Sequence, residues 1–285
     1  MMPGDAERDA VRASEWAGVS VRALEAPEDL HQLADLFSRM WAAPVPPVPH
    51  DVMRSLVHAG ERVHAAFRGG QLVGGAVAVF GPPADASCYS LITGVSPEVE
   101  SRGIGLALKL AQRAWALRAG AARMTWTFDP LLRRNARFNL TRLGAVVTEY
   151  LVDFYGEITD GVNGAETDRL AVTWELKRPV PAAQAPAGTA QAQAPADAAM
   201  PPAILTSGAR GDPVAASGTA ADVRGPGPLR CEIPADILAV RRSDPSLARR
   251  WRHGVREALG GALAGGYRVT GLMPPGWYVL EKGEP

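Results

Sequence analysis

Cysteines, histidines and aromatic residues are few in this chain, and neither sign of charge is in excess. Its 285 residues include two cysteines, five histidines and 6% aromatics, with thirty basic residues against thirty acidic ones. Two thiols, Cys88 and Cys231, provide no disulfide framework and fit a reducing compartment. The histidines are scattered without metal-ligand spacing, so no metal centre is expected. A balanced charge gives no global field to draw nucleic acid or an acidic membrane. No apolar run approaches the roughly 20 residues that span a bilayer. The polar opening "MMPGDAERDAVRASEWAG" lacks the apolar centre of a signal peptide. The expectation is a soluble cytoplasmic protein. Its 47% apolar and 21% charged residues suit a globular chain with length for one or two domains.

Aromatic residues are missing altogether from Pro179 to Pro228, where Ala, Pro, Gly, Gln and Thr predominate. Such a stretch buries too little apolar surface to offset its ordering entropy, and it reads as a disordered Ala/Pro-rich linker. The expected division is an N-terminal tail at 1–18, a body at 19–178, the linker at 179–228 and a C-terminal segment at 229–285.

The body alternates strand and helix patterns. "PEDLHQLADLFSRMW" places Leu30, Leu33, Phe37 and Met40 on one helical face. "RVHAAFRGGQLVGGAVAVFG" predicts a β-hairpin turning at Gly69-Gly70. After the strand "CYSLITGV" comes "VSPEVESRGIGLALKLAQRAW", Val95 to Trp115. In its helix Ile104, Leu108, Ala111 and Trp115 share a face, and Lys109, Gln112, Arg113 and Ala116 form the expected wet stripe. "ARMTWTF" is a further strand, "LRRNARFNLTRLG" a helix, and "AVVTEYLVDFYG" and "DRLAVTWELK" two closing strands. In the C-terminal segment "SDPSLARRWRHGVREALGGALAGG" predicts a helix capped by Asp244 or Ser243, and "YRVTGLM" and "WYVLEK" a hairpin. Arg241, Arg242, Arg249, Arg250, Arg252 and Arg256 form either a docking face for a polyanion or, more simply, a solvated helix face. The long hairpin could complete a neighbour's sheet as well as its own, which would give a homodimer.

Gly103 and Gly105 lie where a strand has ended and a helix begins. The first N–H groups of that helix have no intrahelical partner and carry the positive end of the helix dipole. Small residues there let a phosphate approach several amides, although a tight turn with close helix packing explains "RGIG" equally well. The spacing fits neither a Walker loop nor Gly-x-Gly-x-x-Gly.

The order strand, Val95-x-Pro97, turn, Arg-Gly-Ile-Gly, amphipathic helix, strand and a second short helix ending in "RLGA" resembles the acetyl-CoA-dependent GNAT acyltransferase superfamily, over roughly Val19 to Lys177. The phrases "GVSPE", "TWTFDPL" and "TDRL" look like a subgroup of bacterial predicted acetyltransferases with an added C-terminal segment. The resemblance implies an α/β fold: a GNAT-like mixed central sheet flanked by helices, followed here by the flexible linker and a small helix-plus-hairpin piece. It implies acyl-CoA, acetyl or succinyl, as co-substrate and no metal. The pyrophosphate of coenzyme A would meet the amides of Arg102, Gly103, Ile104, Gly105 and Leu106. The family pattern begins at Glu100, where a carboxylate replaces the usual cation or amide. The pantetheine arm would pair near Thr93 and Val95, with Asn135 loosely in the place of a family asparagine near the cofactor.

The family's usual acid, a tyrosine four residues before Gly144, is replaced by Leu140, which leaves Tyr150, Tyr155 or solvent. Asp129 ends its strand where the family's sheet opens. It is read equally as a general base, which would require burial to raise its pKa, and as a turn residue before Leu131. Arg133 or Arg134 could fork onto a substrate carboxylate or pair with Asp129. Thr167, Asp168 and Arg169 could line the acceptor mouth or simply form a turn. The leading function is acyl transfer to the amino group of a small molecule, such as an amino acid. The alternatives are a non-catalytic acyl-CoA-binding module and a GNAT-fold enzyme acting on an oxygen acceptor or a carrier-bound acyl group.

Overall fold

A computed structural model describes residues 3–99, 103–156, 166–181, 200–215 and 227–283. The chain divides into two compact units. One runs from the N-terminus to Trp126 and includes Trp174–Pro179; the other holds most of the remainder.

The first unit has α1 (Pro3–Ala17), β1 (Ser20–Ala23), α2 (Pro27–Trp41), α3 (His50–His58), β2 (Arg62–Arg68), β3 (Gln71–Phe80), β4 (Ser87–Val95) and α4 (Ile104–Arg118), and it contains the start of β5 (Arg123–Phe128). Strands β1 to β4 pair antiparallel in sequence order, and β4 pairs parallel with β5, so the sheet is mixed. The hairpin turns at Gly69 and Gly70, with φ of 56° and 83° and Arg68 opposite Gln71. Two positive φ angles are what a two-residue turn between right-twisted strands requires. Helix α2 starts with Pro27 in its first turn and with Glu28 and Asp29 at the positive end of its dipole. Its buried Leu30, Leu33 and Phe37 pack with Val63, Ala65 and Val77 on one side of the sheet. Ala66, Val73 and Ala76 meet Ile104 and Leu108 of α4 on the other.

Two expectations change here. Of the expected tail at 1–18, Pro3–Ala17 form α1, which buries Ala6, Ala13 and Ala17. The wet stripe of α4 is also buried: Lys109 is 3% exposed, and Gln112, Arg113 and Ala116 have no exposed surface. Arg113 explains how polarity survives there. It donates to the Asp9 carboxylate of α1 at 3.3 Å and to the carbonyls of Leu176 and Arg178 at 2.8 and 2.9 Å. The i, i+4 pattern identified a polar face correctly, but protein covers that face instead of water: α1 at Arg113, and Ser90 and Trp126 of the sheet at Lys109 and Gln112.

The second unit opens with α5 (Arg133–Ala136), which widens into a π-helical turn at Arg137–Arg142. Strands β6 (Val146–Leu151) and β7 (Arg169–Glu175) pair antiparallel. A five-stranded sheet follows, built from β8 (Ala203–Ser207), β9 (Pro213–Ala215), β10 (Leu229–Glu232), β11 (Tyr267–Met273) and β12 (Trp277–Lys282) in the order β11-β12-β10-β8-β9. Helices α6 (Ile237–Ser243) and α7 (Pro245–Val255) accompany it, and α7 continues as a π-helical turn at Arg256–Gly260. Asp244 is the cap of α7, its carboxylate accepting from the Leu247 amide at 2.9 Å.

The expected linker is interrupted, for β8 and β9 lie inside it and bury Ile204 and Leu205. A composition averaged over fifty residues hid the short apolar run "AIL". Residues 182–199 and 216–226 of that stretch lie outside the described residues.

Candidate functional site

In the first unit the site begins at the turn into α4. Gly103 has φ 86°, a left-handed conformation that favours glycine. A Cβ there would also fall 2.1 Å from the Trp16 ring. Both structural reasons for the glycine therefore hold. They coexist with the phosphate reading, because the first intrahelical bond runs from the Ala107 amide to the Gly103 carbonyl at 2.9 Å. The amides of Ile104, Gly105 and Leu106 thus precede the ladder, and no side chain caps them. Arg102, with Glu100 and Ser101, lies outside the described residues. Replacing Gly103 by Ala should cost about 2 kcal/mol in urea unfolding from backbone strain alone. It should also weaken coenzyme A binding about tenfold, equivalent to roughly 1.4 kcal/mol, in calorimetry.

Strand β4 supplies the next part. Its parallel pairing with β5 comprises Ser87, Cys88 and Tyr89 opposite Arg123, Met124 and Thr125. On its other edge β4 pairs with β3 as far as Val95, with Thr93 opposite Ala76 and Val95 opposite Gly74. The register shifts between Ile92 and Ser90, so Leu91 is an extra residue and the strand bulges there. The Oγ1 of Thr93 is buried without a hydrogen-bond partner. Helix-start amides outside the intrahelical ladder, main-chain groups along β4 and an unmatched hydroxyl fit a ligand with phosphates at one end and amides along its arm. Coenzyme A is such a ligand, so Thr93, Val95, Gly103, Ile104, Gly105 and Leu106 are placed where they could hold it.

The second unit gathers the charged candidates in an unexpected way. Asp129 is 3% exposed. Its Oδ1 accepts from the Leu131 amide at 2.9 Å and from Arg252 at 2.8 Å; its Oδ2 accepts from Arg252 at 2.8 Å and Arg241 at 2.7 Å. Burial alone would raise its pKa, but the charges and hydrogen bonds of Arg252 and Arg241 outweigh that and hold it at about 2. The raised pKa expected of a base is therefore corrected: Asp129 is a firmly ionised ion-pair hub and a turn residue. Its partners are neither Arg133 nor Arg134. Nor is the arginine set of the C-terminal segment simply solvated, since Arg252 is 3% exposed.

Tyr150 donates its hydroxyl proton to Asp168 at 2.7 Å. Burial, then the Asp168 charge, pushes its pKa well above the usual value, which makes it a reluctant acid. Asp168 is also held by Arg256, at 2.9 Å from Nε and 2.7 Å from Nη2, and it accepts from the Asp153 amide at 3.0 Å. Glu166 joins Arg256 at 2.6 Å. Tyr155 is 47% exposed, with the Arg169 guanidinium 5.1 Å from its ring centroid. Arg133 donates to the Ile233 carbonyl at 2.5 Å, and Arg134 and Asn135 are exposed on α5.

Sequence reasoning missed the roles of Arg241, Arg252 and Arg256 as partners of Asp129 and Asp168. The one available signal was that arginines recur at 252 and 256 on a helix whose apolar stripe includes Trp251 and Val255. Among the described residues no cluster of three or more His, Cys, Asp or Glu could hold a metal, and no helix is long and apolar enough to cross a membrane.

Residues 5–131 match the family model described as acetyltransferase (GNAT) domain. No curated protein matches the chain. Among solved structures, an N-acetyltransferase from Staphylococcus aureus Mu50 aligns at 14% identity and a TM-score of 0.47, over 56% of this chain and 99% of its own. A ribosomal-protein-alanine N-acetyltransferase from Brucella melitensis aligns at 16% identity and 0.46, over 55% and 99%. The yncA protein of Salmonella typhimurium, solved with its cofactor acetyl-CoA, aligns at 16% identity and 0.45, over 57% and 98%.

Proposed function

Because residues 5–131 match the GNAT acetyltransferase domain model, we propose that the protein transfers an acyl group, acetyl or succinyl, from acyl-CoA to the amino group of a small molecule such as an amino acid. The observation that carries this reading is the α4 start. Among the described residues the amides of Ile104, Gly105 and Leu106 have no cap and precede the helical ladder, directly after a left-handed glycine, and the strand before them, β4, bulges at Leu91. Helix dipole and amides together favour the pyrophosphate. The β4 main chain would orient the arm, holding the thioester against the attacking amine. Such positioning is most of what aminolysis of a thioester needs. A main-chain N–H near the Leu91 bulge would polarise the carbonyl.

On the acceptor side, Arg133 and Arg134 are the proposed partners of a substrate carboxylate. Arg133 would then exchange its bond to the Ile233 carbonyl for a charged one, which is the stronger of the two. The second reading, acyl-CoA binding without turnover, is favoured by the engagement of Asp129 and Tyr150 in their own networks.

Thiol release from acetyl-CoA and succinyl-CoA, measured against pooled amino acids and simple amines, tests both. Release that depends on one pool is the expected result. Coenzyme A binding without release from any pool would favour the binding module, and no binding would reduce "RGIG" to a turn.

A further inference from the structure

A lysine buried away from every carboxylate carries a desolvation penalty that no countercharge offsets. Lys109, on the buried face of α4, is such a lysine. Its Nζ donates to Ser90 Oγ at 2.6 Å and lies 4.0 Å from the Trp126 ring centroid. From β4 it faces Ser90 and Cys88, whose thiol burial pushes up to about 12 and so keeps neutral. On α4 itself the neighbour is Gln112, bonded through Oε1 to Ser90 Oγ at 3.0 Å; from β5 it is Trp126. Among the described residues no salt bridge reaches it.

Two more polar atoms nearby are unmatched. Gln112 has no exposed surface, yet its Nε2 has no partner, and neither does Thr93 Oγ1. Val95 packs with Ile104 and Leu108 of α4. Strand alternation therefore puts Thr93 on the α4 side, as it does Ser90 across the bulge. Gly105, Lys109 and Gln112 recur at intervals of four and three, along one stripe of the helix. That stripe starts at the amides proposed for the pyrophosphate. It ends at Ser90, the first residue beyond the last β4–β5 pair. Buried polar groups are ordinarily matched, so the two unmatched atoms, Gln112 Nε2 on this stripe and Thr93 Oγ1 on the facing strand, point to a polar ligand.

We infer that Lys109 is the acid of the transfer, its ammonium giving a proton to the sulfur that departs from the acyl carbon. The inference rests on the acyl-transfer reading. The acceptor amine forms the new C–N bond, and the electrons of the broken C–S bond go to sulfur. Sulfur takes the Lys109 proton. The amine nitrogen releases one proton, which returns to Lys109 through solvent, so nothing is oxidised or reduced. Burial brings Lys109 down to about 7, below an ordinary thiol near 8.5, whereas a lysine in water, near 10.4, would keep its proton. Ser90 is a positioning residue, accepting from Lys109 and donating to Gln112.

The test compares full-length wild type with Lys109→Met and Lys109→Arg. An arginine keeps the charge but does not release its proton. Both variants should lose about 10³-fold in kcat for thiol release, within the range for a lost general acid, with the dissociation constant of coenzyme A changed less than about threefold. The alkaline fall of kcat, present in wild type, should vanish in both. A readout independent of turnover is the ultraviolet absorbance of the thiolate in bound coenzyme A. Bound to wild type, the thiol should ionise no lower than in solution, because Lys109 has given up its proton near 7 before the sulfur ionises; bound to Lys109→Arg, which keeps its charge, it should ionise at lower pH. Ser90→Ala, which removes an acceptor from the ammonium, should shift the alkaline limb to lower pH without abolishing it. An active wild type whose Lys109→Arg variant turns over equally fast would overturn the role of Lys109. A wild type that neither binds coenzyme A nor releases thiol would overturn the acyl-transfer reading, and this inference with it.

Discussion

Asp129→Asn should destabilise the second unit by about 3–5 kcal/mol in urea unfolding, the cost of removing one partner of a buried ion pair. The amide keeps the shape but accepts at only one atom, so the Arg252 guanidinium, 3% exposed, loses both its charge partner and its two-pronged bond. Arg241 loses its charged bond to Oδ2 as well. The same hub fixes a pH dependence. The folded pKa of Asp129 is about 2, below the unfolded value near 3.9. Its contribution is therefore complete above pH 4 and disappears as pH falls toward 2. Acid titration of unfolding midpoints should show this loss in wild type and not in the asparagine variant. Coenzyme A affinity separates this effect from chemistry. Binding assigned to the β4–α4 turn should persist in Asp129→Asn at temperatures where the second unit remains folded.

Lys109→Met should act in the opposite direction, stabilising the first unit by about 3 kcal/mol while cutting turnover about 10³-fold. Methionine fills a similar volume without a charge to desolvate, and replacing buried charge with apolar groups is often stabilising by this amount. Ser90 and Gln112 keep their mutual bond at 3.0 Å, so the substitution leaves few new orphans. Here too the sign follows from the pKa. Folded Lys109 titrates near 7 and the unfolded side chain near 10.4, so between those values the unfolded chain binds more protons. Wild-type stability should rise with pH across that window, and the gain from methionine should shrink as it does. Thermal unfolding of both proteins at pH 6.5 and 9.5 checks the difference. A stabilised, inactive variant is the pattern expected where function keeps a strained group in place.

The parts of this protein set by local chemistry were legible in its residues. The Gly69-Gly70 hairpin, the α2 face and the Asp244-Pro245 helix start each depend on a few neighbouring side chains. The turn at Gly103 was legible for the same reason, because strand end, glycine and amphipathic helix are contiguous. What failed were assignments of a polar face to water. The Lys109–Gln112–Arg113 face of α4 and the arginines of α7 have the periodicity of solvated stripes. What covers them comes from far along the chain: α1 with Asp9 for Arg113, and Asp129 for Arg252. No periodicity distinguishes a charge that meets solvent from one that meets a carboxylate 123 residues away. The strands β8 and β9 were hidden differently, as short apolar runs diluted by alanine and proline on both sides.

The long reach of those ion pairs also bears on how the protein is made. Asp129 meets arginines 112 and 123 positions later, and Asp168 meets one 88 positions later. At about 5–20 residues per second on the ribosome, Arg252 follows Asp129 by roughly 6–25 seconds. Through that interval both carboxylates wait without their arginines, Asp129 with the Leu131 amide and Asp168 with Tyr150 and the Asp153 amide, while the first unit already has every strand from β1 to β4 and its α4 helix. The nascent chain should therefore mature in two stages, with the second completed only after the last hairpin has left the exit tunnel.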